Sequence, residues 1–306
     1  MNFTKTLFKT KEKRDNFCGM LMIIPGLIFF VLLVMYPTLW ALKYVFYEYD
    51  GFTSPTFVGT KNIVRLFTRE TVYWRSILFT VKYVATKLVI EFPLAVLLGA
   101  ILSSKVLRTR SFFRGVYFMP VILSSAVMSV VFSFIFSPYN GLLNATLMKI
   151  GVINGKVDWL SNPKTAFWCC VALSVWSGFG QNTILTISGI QGIPEDIYES
   201  ASIDGAGAIV QFFKITLPIL APILKTILML MLVGSFGGYE SIYVLTGGGP
   251  NHATEVMSLT VYNQFFKAGM ADYGYGATLG IMSAVITGII TVVYLFMSRR
   301  LDKISE

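Results

Sequence analysis

The sequence predicts an all-α polytopic membrane protein with six transmembrane helices, and three observations carry that prediction. Of 306 residues, 55% are apolar and 13% charged, against about 25% charged in an ordinary soluble domain. Six predominantly apolar windows fall at residues 18–42, 77–102, 112–136, 166–190, 219–245 and 275–297, each close to the roughly 20 residues that cross a hydrocarbon core. The basic residues behind the formal charge of +9 sit in short clusters between these windows. That is the pattern of membrane loops, not of a nucleic-acid-binding face.

The first window is longer than a signal-peptide core and lacks a following small-residue cleavage site, so it is expected to remain as a helix. Orientation follows from Lys and Arg near the spans. The amino terminus carries Lys5, Lys9, Lys11, Lys13 and Arg14; the second connection carries Lys105, Arg108, Arg110 and Arg114 without an acid; the carboxyl end carries Arg299, Arg300 and Lys303. These clusters share one side only if the number of spans is even. Six spans then place both termini in the cytoplasm of a cell-membrane protein, with residues 1–17 and 299–306 as cytoplasmic segments flanking a membrane domain at 18–298. Lys61, Arg65 and Arg69 in the first connection oppose this orientation, and Glu48, Asp50 and Glu70 offset them in part.

The second window holds Lys82, Lys87 and Glu91. A charge at the bilayer centre costs about 2.5–3.5 kcal/mol on insertion scales, so the three cannot all face lipid. Lys82 is expected to snorkel outward. Lys87 and Glu91, four residues apart, can pair on one helix face; a proton or ion relay, a structural ion pair and a contact to a partner chain all stay open. The fourth and fifth windows are enriched in polar groups: Ser174, Trp176, Ser177, Gly178, Gln181 and Asn182 in one, and Ser235, Gly238, Tyr239, Glu240 and Ser241 in the other. Polar groups at this depth face a bundle interior or a water-filled cavity, although Ser and Gly also serve close helix packing. Cys18, Cys169 and Cys170 lack metal-ligand spacing and fall in apolar runs, so inert buried thiols are expected. No metal site is expected, and the lone His252 is poor material for an enzyme.

The fourth connection, residues 191–222, is long and ordered in composition. Pro194 followed by Glu195 and Asp196 forms a helix start, since Pro sacrifices an N–H that had no partner and acids complement the dipole. That helix should run to about Ile203 and stop at Asp204-Gly205, where Gly accepts a left-handed backbone. A second short helix should follow from about Ala206 to Leu217, ended by Pro218. Ile193, Ile197 and Ala201 fall on one stripe able to dock on another surface.

The run Glu199-Ser200-Ala201, Asp204-Gly205-Ala206, Phe212, Ile215, Leu217-Pro218 and Pro222 resembles the EAA loop of ATP-binding-cassette importer permeases, with Ser200 in place of the first Ala. Further along, Arg114 with Phe118-Met119-Pro120, Gly141-Leu142-Leu143-Asn144, and Thr246-Gly247-Gly248-Gly249-Pro250 with Thr254 are similar to the carbohydrate-uptake, maltose-type branch. The resemblance implies that Glu199, Ser200, Ala201, Asp204, Gly205 and Ala206 form a cytoplasmic coupling helix and bend seated on a separate ATPase subunit. It also implies two ATP-binding subunits, a second homologous permease subunit and an extracytoplasmic solute-binding protein, which the connections at 58–69 and 139–163 are candidates to contact. By the same resemblance, Ser174, Gly178, Gln181, Ser235 and Tyr239 line the solute path. The implied cargo is a sugar or oligosaccharide, with glycerol phosphate as an alternative. The glycine cluster at 247–249 lacks the Lys-Ser/Thr of a phosphate loop, so ATP is expected to be bound by the partner alone, and this chain to need no cofactor. An autonomous secondary transporter built on Lys87 and Glu91 would show inverted repeats, and no convincing repeat is present.

Overall fold

The computed structural model describes residues 11–104, 109–267 and 271–305. Lys5, Lys9, Lys105 and Arg108, used above for orientation, lie outside the described residues. The described chain forms two compact units, one of residues 1–69 with 264–281 and the other of residues 70–263 with 282–306.

In the first unit, α1 (Lys11–Phe30) passes through a π-helical turn, Val31–Met35, into α2 (Tyr36–Tyr44). Helix therefore begins inside the segment expected to be a non-membrane terminus at 1–17. Residues 16–40 are exposed throughout, Cys18 included. The expectation of a buried thiol fails there, because this apolar helix is left uncovered by the described residues. A two-stranded antiparallel ribbon follows, β1 (Tyr47–Glu48) with β2 (Thr56–Phe57), then α3 (Lys61–Thr68). The buried Asn62 donates to the carbonyls of Val45 and Tyr47 at 3.0 and 2.9 Å, fixing where the chain leaves α2. Asp50 accepts from the amides of Phe52 and Thr53, and these bonds hold its carboxyl down at about 2. Lys61 pairs with Glu48 at 2.8 Å, and Arg65 pairs with Asp272 at 2.9 Å while lying over the Tyr275 ring. Two of the three bases that opposed the expected orientation are thus charge-paired.

The second unit is helical. Its members are α4 (Thr71–Ser103), α5 (Arg110–Ile122), α6 (Ser125–Ile135), α7 (Leu142–Lys149), α8 (Pro163–Gln191), α9 (Glu195–Ile203), α10 (Ala208–Gln211), α11 (Leu217–Gly237), α12 (Glu240–Thr246), most of α13 (Met257–Phe266), and the greater part of α14 (Tyr273–Ser305). Helix α8 is the hub, packing along α4 and also against α5 and α11. Asn162 starts it by accepting from the Lys164 amide, with Pro163 in the first turn. The buried Cys169 and Cys170 lie on α8.

Two apolar windows are not simple spans. The third is α5 and α6, which meet at 101°. Pro120 weakens the helix near its end, and Ser124 starts α6 by accepting from the Val127 amide. The fifth breaks at Gly238, whose extended backbone separates α11 from α12. Four described helices are long and apolar enough to cross a membrane, five if the bent pair is one span. The 29-residue α8 is not among them, so the expected six is not reached on length and composition. Its polarity has a reason: a helix whose flanks face other helices need not match lipid.

Candidate functional site

The loop between α8 and α11 is built by local rules. Pro194 is the residue before the first turn of α9, and Glu195 and Asp196 occupy that turn. After Ile203 the chain reverses at Gly205, whose φ is +81°. The Ala206 amide donates to the Ala201 carbonyl at 2.9 Å, closing the bend. Gln211 locks it further, its side-chain amide donating to the Ser202 hydroxyl and the Ala206 carbonyl, both at 2.9 Å. The Tyr198 and Thr216 hydroxyls bond at 3.0 Å, which ties α9 to the base of α11. The bend is therefore pre-formed by the chain's own contacts.

Pro218 does not end a helix here. Helix α10 opens into a π-helical turn, Phe212–Thr216, that runs straight into α11, with Pro218 in the first turn of α11 and Pro222 inside it. The wider turn accommodates a residue that has no N–H to give. In consequence the loop is joined to the membrane helix without a flexible link.

Glu199, Ser200, Asp204 and Gly205 are exposed, and Ala201 and Ala206 half-buried. Ile193 is buried, whereas Ile197 is exposed, so the expected apolar stripe is only partly covered. Beside the bend, Ile203 is 87% and Ile209 75% exposed, with Phe213 also open. A cavity of about 950 Å³ lies between this loop and the ends of α4 and α8, lined by Leu97, Ile101, Ile190, Tyr198, Phe212 and others.

The residues suggested for a solute path divide into three groups. Ser174 is half-buried on α8. Gly178 and Ser235 are drawn into a polar cluster centred on α4. Glu91 accepts from Asn182 Nδ2 at 2.6 Å through Oε1, while its Oε2 lies 3.6 Å from Lys87 Nζ. Lys87 donates to Ser235 Oγ at 2.9 Å. Gly178 is the floor beneath Glu91: a Cβ there would stand 2.4 Å from Oε1. Lys87 and Glu91 thus lie paired within this cluster, and Lys82 lies exposed over the Phe167 ring at 4.6 Å. Gln181 is exposed.

Tyr239 belongs to a third group, which the sequence reading did not assemble. Its ring stacks on Tyr262 at 4.7 Å, and Tyr243 approaches Tyr262 at 5.1 Å. Ser258 donates to the Gly238 carbonyl, so α13 is anchored at the break between α11 and α12. Tyr262 lies outside every apolar window, and no periodicity could have linked it to Tyr239.

Residues 92–303 match the family described as binding-protein-dependent transport system inner membrane component. The chain belongs to that family. This permease chain is similar to a probable ABC transporter permease protein, YurN, of Bacillus subtilis (strain 168), at 35% identity over 87% of this chain and 91% of that one. It is 32% identical to the trehalose/maltose transport system permease protein MalF of Thermococcus litoralis, over 94% of this chain and 95% of that one. Among solved structures, a bacterial ABC transporter involved in the import of the acidic polysaccharide alginate superimposes with a TM-score of 0.80 at 25% identity, covering 95% of this chain and 98% of the other. The family fits a helical chain whose conspicuous loop lies between the long helices α8 and α11, and it makes the permease a membrane component of a binding-protein-dependent transport system.

Proposed function

We propose that this permease subunit carries a sugar or oligosaccharide delivered by an extracytoplasmic binding protein, and is driven by two ATP-binding subunits, one of which engages the 191–222 loop. In this reading the chain crosses the membrane six times with both termini in the cytoplasm, α8 supplying the fourth span. A second, similar permease subunit completes the pore. ATP is bound and hydrolysed by the partner. Glu199, Ser200, Ala201, Asp204, Gly205 and Ala206 form the contact with it, and Ser174, Gly178, Gln181, Ser235 and Tyr239 belong to the wall of the path. The sugar assignment draws support from the trehalose/maltose and alginate systems named above.

One observation carries the coupling role: a bend locked by its own hydrogen bonds, bearing exposed Ile203 and Ile209, and continuous with α11 through a π-helical turn. Exposed apolar groups beside a polar bend are what a docked protein covers, and a rigid connection passes on displacement. Gly205 tests it. Nothing lies within 4 Å of a Cβ there, so a side chain meets no clash, only the cost of a left-handed backbone at φ +81°. That cost is about 1–2 kcal/mol for an L-residue, highest for a β-branched one and lowest for Asn. In proteoliposomes containing the full importer, Gly205→Val is expected to lower solute imported per ATP about tenfold, and Gly205→Asn to stay near wild type. Equal import per ATP in wild type and Gly205→Val would overturn the coupling role.

A further inference from the structure

The two arms of the loop, α8 leading in and α11 leading out, are joined twice. Near the loop the joint is apolar: Val96 of α4 clusters with Ile193, Leu220, Leu224, Ile227 and Met231. Apolar surfaces of this kind can slide by small steps without losing a specific partner. Beyond that cluster the joint is polar and has a single register. Glu91 holds α8 through Asn182, Lys87 holds α11 through Ser235, and the two charges hold each other. The Glu91 side chain is 1% and that of Lys87 14% exposed. Buried charges earn little net stability, but separating one from its partner is costly, so such a pair specifies one arrangement of the helices that carry it.

We propose that Lys87 and Glu91 are positioning residues that brace α8 and α11 against α4, so that displacement of the 191–222 loop moves the three helices as one body. The proposal rests on the coupling reading above. Without the brace, a push on the loop splays α8 from α11 and is absorbed before it reaches the far ends of the helices.

The test uses the importer purified with its ATPase subunits, in a Cys18→Ser background with the two buried cysteines left in place. Spin labels at positions 176 and 233, both exposed, report the distance between α8 and α11, and a label at 203 reports the loop. Each is measured without nucleotide and after trapping with ATP and vanadate. The wild type and Lys87→Arg, which keeps the charge and donors, are expected to hold the 176–233 distance to within one residue of helical rise, about 1.5 Å. Ser235→Ala cuts only the tie to α11. Lys87→Met with Glu91→Gln removes both charges and leaves none buried alone. In both, trapping is expected to shift or broaden the distance on the order of one helical turn, about 5.4 Å. A responsive loop with an unchanged 176–233 distance in both variants would overturn the brace alone. A label at 203 that ignores nucleotide in the wild type would overturn the coupling reading, and the brace with it.

Discussion

Replacing Gly178 by Ala adds one methyl group to a helix interior and should nevertheless be among the most damaging small changes in the chain. The new Cβ would stand 2.4 Å from Glu91 Oε1 and 3.0 Å from Cδ and Oε2, whereas ordinary contact begins near 3.4 Å. Either α8 backs away from α4 by close to an ångström, or the carboxylate swings off. The first route overpacks the contact between α4 and α8, at about 1–3 kcal/mol. The second breaks the 2.6 Å bond from Asn182, and a hydrogen bond to a charged group is worth about 1.5–3 kcal/mol. A loss of about 1–3 kcal/mol is therefore expected by either route. Shortening the acid makes room, so Glu91→Asp, destabilising alone, should recover part of the loss when combined with Gly178→Ala. The assay is the fraction of importer complex remaining monodisperse in lipid nanodiscs after heating, for the two single variants and the double variant. Strictly additive effects would show that the two positions do not touch, and an unchanged midpoint for Gly178→Ala would refute the packing argument itself.

Two further outcomes follow from other clusters. Tyr262→Ala removes the ring stacked on Tyr239; an aromatic pair is worth about 0.5–1.5 kcal/mol, so the half-saturating concentration of loaded binding protein in an uptake assay should rise several-fold, Tyr262→Phe should not change it, and equal values for all three proteins would detach this cluster from the solute path. Asn144, which accepts from Trp159 Nε1 at 2.9 Å and donates to the Val157 carbonyl at 2.9 Å, holds the 150–162 connection against α7; Asn144→Leu leaves these half-buried groups without that partner, at about 1 kcal/mol each, and should speed proteolysis within 150–162, which an unaltered cleavage rate would contradict.

The bend at Gly205 was legible because its causes are local: acids in a first turn, then a residue free to adopt positive φ. The helix through Pro218 was not, because whether a proline ends a helix depends on the turn before it. The angle between α5 and α6 escaped detection for a related reason, since an apolar run has the same composition whether straight or folded at Ser124.

By itself the sequence determined the membrane class, the approximate place of every apolar segment and the helix–bend–helix between residues 191 and 222, because hydropathy and backbone preference act over a few neighbouring residues. Only the tertiary structure decided which partners Lys87 and Glu91 meet. Lys87 and Glu91 find Ser235 and Asn182 at separations of 148 and 91 residues, and no local rule reaches that far. Burying a charge is costly unless a partner is placed against it, and where the partner stands is settled by how α4, α8 and α11 pack.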